Sequence, residues 1–163
     1  MAAQINLIVK GMKLMFVEPE LSFPDLLARI SEELSPYSDR REMIIQDLMR
    51  REKIATQIYA EFGFALLHCR TKGVIKPSFT VCRTQGSSHF RHPDMKAIQV
   101  VFIMLVPIDE NLSVNSDILG YISSMLIENM TFMDIAENGD QEQIRDELTQ
   151  DLKRYFKNYI ARI

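Results

Sequence analysis

The sequence predicts one α/β domain spanning residues 1–163, a layered fold with a mixed sheet and helices on both faces. Three observations predict it. Short apolar runs bounded by Gly, Pro and polar clusters read as strands. Stripes of apolar residues at helical spacing separate and follow them. No internal repeat, low-complexity tract or long linker divides the chain.

In order along the chain, Ile5–Val9 and Met12–Val17, split by Gly11, are apolar, partly alternating runs and read as strand material. Ser22 has the chemistry of an N-cap, with Pro24 in the first turn of the helix it opens. Phe23, Leu26, Leu27, Ile30 and Leu34 form that helix's apolar stripe, and Pro36 ends it. Asp39 and Glu42 have capping-box spacing before a second helix that turns Met43, Ile44, Leu48 and Met49 inward. Phe62 to Leu67 is a buried strand by composition, and His68 falls at its end. Phe79–Cys82 is another strand, and Gln85 to Asp94, with two Ser, two His, a Gly and a Pro, is a loop. Val100–Val106 is apolar at every position, as a central strand is, and Pro107 stops it. Ile118, Tyr121, Ile122, Met125 and Leu126 mark the next helix. Thr131 and Asp134 have capping-box spacing before a short one. Asp140 opens the last, with Ile144, Leu148, Leu152, Tyr155, Phe156 and Tyr159 as its stripe.

Composition bounds the function. With 47% hydrophobic and 25% charged residues the chain is an ordinary globular domain, not a disordered one. A net charge of −3, with Lys and Arg scattered among carboxylates, argues against a domain that itself grips nucleic acid by bulk charge. The longest apolar run is too short to span a bilayer, and the first residues lack the pattern of a secretory signal. The two cysteines, Cys69 and Cys82, read as free thiols, and the expected compartment is the cytoplasm.

The chemistry-bearing stretch is Phe64-Ala65-Leu66-Leu67-His68-Cys69-Arg70-Thr71. A histidine carried by a buried strand sits on a rigid element, and a neutral imidazole keeps a lone pair for attack at neutral pH. Arg50 and Arg51 close the second helix, where an arginine can fold back and offer its fork to a phosphoryl group. Taken alone, a single His at a strand end is more often a hydrogen-bonded structural group, and Arg51 a solvated helix-end charge. Arg70 is open to either role, assisting a phosphate or solvated. Cys69 neighbours His68 in sequence, so a strand points it to the opposite face, where it packs. His89 and His92 lack a third ligand and make a poor zinc site, so neither a metal nor a cofactor is expected. The ten methionines fall mostly on core stripes.

The stretch Arg51-Glu52, Thr56 and Gly63-Phe64-Ala65-Leu66-Leu67-His68 resembles enzyme IIA domains of the mannitol–fructose class in the sugar phosphotransferase system. Leu66-Leu67-His68-Cys69-Arg70-Thr71 is most like the version in the C-terminal domain of mannitol operon activators. The resemblance implies a mannitol-type enzyme IIA fold. It implies His68 as the acceptor of phosphate from the phosphocarrier HPr, or in exchange with an enzyme IIB partner. Arg51 matches the arginine that steadies that phosphate, and Thr56 falls near a family hydroxyl. It also implies neighbouring regulatory modules in a longer protein as partners. Two departures stand out. Leu67 replaces the Pro that usually precedes the active histidine. The segment Asp109 to Asp117 carries no second histidine, which favours a regulator over a transport carrier. A free-standing enzyme IIA phosphocarrier and a non-phosphorylated interaction module remain the alternatives.

Overall fold

The computed structural model describes residues 2–86, 89–95, 97–108 and 112–161. Its elements are α1 (Ala2–Lys10), β1 (Lys13–Val17), α2 (Phe23–Leu34), α3 (Ser38–Ile54), β2 (Ile58–Tyr59), β3 (Phe64–Thr71), β4 (Ser78–Thr84), β5 (Val100–Pro107), α4 (Leu112–Glu128), α5 (Met130–Asn138) and α6 (Gln141–Ala161). The five strands lie in the order β1-β4-β5-β3-β2. β1 runs parallel to β4 and β3 parallel to β5, while the β4–β5 and β2–β3 pairs are antiparallel. The sheet is therefore mixed. The all-apolar β5 lies at its centre, as expected of a strand buried on both faces.

The pleat sorts the core into two layers. Phe64, Leu66, Phe79, Phe102 and Met104 face α1, α4, α5 and α6. Ala65, Leu67, Cys82, Val101 and Ile103 face α2 and α3. Alternation with period two on the strands meets helical stripes on both sides, which completes the layered α/β fold. On α6, Phe156 and Tyr159, assigned to the closing stripe, have side chains outside the described residues. Ile144, Leu148 and Leu152 are buried as the spacing requires.

Five local expectations are corrected. Ile5–Val9 is helix, not strand, because the buried positions Ile5, Ile8 and Met12 recur at three and four residues. Arg145 of α6 fixes that helix's end, donating to the carbonyls of Val9 at 3.2 Å and Met12 at 3.0 Å. A tie over so great a sequence distance leaves no local signal. Second, α3 starts at Ser38 with Tyr37 at the N-cap and no side-chain cap, so Asp39 lies in the first turn and Glu42 bonds Gln46 instead. Third, Met43 is 39% exposed, since Ile44 and Leu48 hold the buried arc. Fourth, Asn129, not Thr131, caps α5, accepting from the Phe132 amide at 3.0 Å. At α6, Asp140 and Gln143 do form a reciprocal capping box, each bond 2.8 Å.

The fifth correction bears on the site. Phe62 belongs to a 3-10 turn, and Gly63, at φ 76°, makes the left-handed step into β3. The strand then continues past His68 to Thr71, because Cys69, Arg70 and Thr71 still pair with Leu105, Val106 and Pro107. His68 thus lies inside a paired strand. After it, Gly73 lets the turn approach α3 closely, since a Cβ there would stand 2.8 Å from the Arg40 carbonyl and 2.5 Å from Ile44. That contact fixes α3 against the end of β3.

Candidate functional site

β2 is only two residues long and covers only Phe64 and Ala65 of β3. Beyond that the outer edge of β3 has no strand beside it. Gln57 takes over the edge: its carbonyl accepts from the Leu66 amide at 3.0 Å, and its Nε2 donates to the His68 carbonyl at 3.3 Å. Glu52 at the end of α3 holds this turn, accepting from the Thr56 hydroxyl at 2.8 Å and the Gln57 amide at 2.9 Å. A bare edge would be a pairing hazard. Here the space beside it is a cavity.

That cavity, about 380 Å³, wraps the open edge and is reached from both layers. α3 contributes Asp47, Arg50, Arg51 and Ile54, and α4 contributes Asn115, Ser116 and Leu119. His68, Cys69 and Arg70 enter from β3, with Met104 and Val106 from β5. By parity His68 lies on the α4 side and Cys69 on the α2–α3 side, where it packs with the core. Cys69 still lines the cavity because the cavity rounds the strand's edge.

Burial first, and the Arg51 guanidinium second, lower the His68 pKa from the ordinary 6.5 to about 4. The imidazole is therefore neutral at pH 7, with one nitrogen lone pair unprotonated. Burial, with the Asp47 carboxylate adding to it, pushes the Cys69 thiol up to about 12, so it is no thiolate nucleophile. The three arginines differ. Arg50 is held by Asp47 at 2.7 Å. Arg70 donates to the Ile108 carbonyl. Arg51 donates to the Ala55 carbonyl at 3.1 Å, and no carboxylate among the described residues pairs with it.

Of the residues singled out from sequence, His68, Arg51 and Arg70 meet in this cavity, whereas Thr56 is not among its lining. Thr56 lies in the turn held by Glu52 instead. Asp109, Glu110 and Asn111, and the side chain of Ser113, lie outside the described residues. His89 and His92 find separate neighbours, Gln99 and Asp94. Among the described residues no group of three metal-ligating side chains converges. Nor is any helix long and apolar enough to cross a membrane. Sequence reasoning passed over Gln57 and Ile54 altogether. Gln57 is 1% exposed, an amide between Thr56 and Ile58 with no periodic signal to mark it.

Residues 18–151 match the family model described as phosphoenolpyruvate-dependent sugar phosphotransferase system, EIIA 2. The chain belongs to that family. No curated protein sequence gives a significant match. Among solved structures, this enzyme IIA domain is similar to nitrogen regulatory protein IIA-Ntr from Neisseria meningitidis. The TM-score is 0.62 and the identity 23%, over 88% of this chain and 97% of that one. It is also similar to IIA mannitol from Escherichia coli, with TM-score 0.51 and 16% identity over 83% and 94% of the two chains. A third similar structure is the Escherichia coli complex of enzyme IIA mannitol with phosphorylated enzyme IIB mannitol, with TM-score 0.52 and 15% identity over 83% and 93%. At these identities the likeness establishes the mannitol-type enzyme IIA fold.

Proposed function

We propose that this enzyme IIA domain accepts a phosphoryl group on His68 and serves as the phosphorylated regulatory domain of a mannitol-operon type transcription activator. The observation that carries the acceptor role is a neutral imidazole on β3 beside Arg51, a guanidinium without a carboxylate partner among the described residues, in one cavity. A ring-nitrogen lone pair attacks phosphorus and forms the N–P bond. The donor's bond to phosphorus breaks, and its electron pair leaves with the donor. Arg51 offsets the charge on the transferring oxygens, and its planar fork suits that task better than a lysine. The donor is the phosphocarrier HPr or an enzyme IIB. A similar enzyme IIA is known in complex with phosphorylated enzyme IIB, which supports the second. Ile54, 76% exposed at the cavity, offers such a partner apolar contact. The compartment is the cytoplasm, where the phosphotransferase partners work.

A regulator is favoured by what lines the α4 wall. Asn115 and Ser116 stand there, not a second imidazole. A carrier must release the phosphoryl group as readily as it takes it, so transfer in both directions needs a stabilised transition state. An amide donates more weakly than a charged imidazole. Nearly two added negative charges then act on neighbouring modules of the longer protein. A chase tests this: phosphorylate His68, add unphosphorylated enzyme IIB and sugar, and follow the loss of label. Label that persists supports the regulator. Loss as fast as from a transport subunit, or restored sugar uptake in cells lacking their own enzyme IIA, sinks it.

A further inference from the structure

The α4 wall of the cavity holds a polar atom without a partner. Asn115, in the first turn of α4, is 5% exposed, and its Oδ1 is sealed from solvent with no hydrogen-bond partner among the described residues. Around it on that side the lining is Met104, Val106 and Leu119, with Ser116 beside it on the helix. A buried amide oxygen left unpaired carries an uncompensated desolvation cost. Leucine, of similar size, would avoid that cost. The amide is explained if a donor meets it when the site works.

Few donors in the cavity remain available. Arg50 and Arg51 come from α3, on the other face of the sheet, Arg70 donates to the Ile108 carbonyl, and the Ser116 side chain is exposed to solvent. Cys69 lies across the pleat, in the α2–α3 layer. His68 is on the α4 side, and a neutral imidazole carries one N–H and one lone pair. Which nitrogen holds the proton is decided by what the N–H bonds to.

We propose that Asn115 is a positioning residue for His68: its side-chain oxygen accepts the imidazole N–H, leaving the other ring nitrogen as the nucleophile. This deepens, and rests on, the reading of His68 as phosphoryl acceptor. During transfer the lone pair becomes the N–P bond, the donor keeps the electron pair of the broken bond, and the ring N–H stays where it is. The ring gains positive charge, and a hydrogen bond from a charged donor is roughly twice as strong as a neutral one. An amide oxygen is suited to this because it only accepts and does not titrate.

The test is nitrogen-15 NMR of the His68 ring at pH 7, in wild type, Asn115→Leu and Asn115→Asp, with labelling rates from a phosphorylated HPr alongside. Wild type should show one dominant tautomer, Asn115→Leu a mixture with labelling slowed on the order of tenfold, and Asn115→Asp, which keeps the acceptor oxygen, one tautomer again. If Asn115→Leu fails to fold, Asn115→Ala is read in its place. A single unchanged tautomer in a folded Leu or Ala variant, or a mixture in wild type, overturns the proposal. The tautomer is read without any phosphate. The expected tautomer shifts in a protein that never takes label would therefore sink the acceptor reading and leave the Asn115–His68 bond standing.

Discussion

The two halves of β3 are the same strand under opposite constraints. Phe64 and Ala65 are paired on both sides, by β2 and by β5, and their side chains are sealed into the two core layers. From His68 to Arg70 the strand keeps β5 on one side, and its other side opens to a cavity. β5 supplies a rigid backing throughout, so the open half is held in place while only partly buried. A reactive side chain needs both conditions: a fixed position and access. Stopping a neighbour strand after two residues supplies them, and Gln57 satisfies the backbone groups that the missing residues would have paired.

The largest effect tests the sealed half. Phe102 is fully buried on β5, with ring centroids 6.0 Å from Phe64, 5.9 Å from Phe79 and 6.3 Å from Phe132. Phe102→Ala should cost about 3–5 kcal/mol, read as a fall in the denaturation midpoint. A loss below about 1 kcal/mol would mean that this ring cluster is not what backs the site. Next is Arg51, on the open side. Arg51→Ala should slow phosphoryl labelling of the domain on the order of a hundredfold. It should move stability by less than about 0.5 kcal/mol. Labelling at the wild-type rate would hand the phosphate to Arg50, Arg70 or backbone donors.

Gln57 marks the boundary between the halves. Gln57→Ala removes the donor to the His68 carbonyl and should cost about 1 kcal/mol. Amide exchange should quicken near Leu66 and stay slow on β5. Uniform exchange along β3 in the variant would contradict the role given to this edge. The last effect is in pH. The folded-state pKa of His68, about 4, lies below the ordinary 6.5. As pH falls the unfolded chain takes up the proton first. The stability of the neutral ring is thus full above about 6.5 and is lost as pH drops towards 4. His68→Gln should flatten the decline of stability in that window, and an unchanged slope would count against a desolvated ring.

Much of this was legible in the sequence because it is periodic. The central strand Val100–Val106, the stripe of α2 with its Ser22 cap, and the stripes of α4 and α6 all carry their burial in their spacing. Features set by distant contacts were not legible. Ile5–Val9 is short enough to read as strand or helix, and the tie that ends it comes from Arg145. The reach of β3 beyond His68 depends on its register with β5, which no local signal records. At the site, His68, Arg51 and Arg70 stood out by residue type, while Gln57 did not, because an amide acting on a strand edge has no motif. Thr56 lay within reach in sequence, yet its hydroxyl donates to Glu52 and it does not line the cavity.

The central claim is that the open half of β3 presents His68 to a phosphoryl donor. Phosphoenolpyruvate, enzyme I and HPr or an enzyme IIB, mixed with the domain, should add one phosphoryl group that is labile in acid and stable in base, the signature of phosphohistidine. His68→Ala, shown to be folded by its thermal transition, should take up none. Undiminished acid-labile label in that folded variant, or a wild-type domain that stays unlabelled with active donors, would contradict the account.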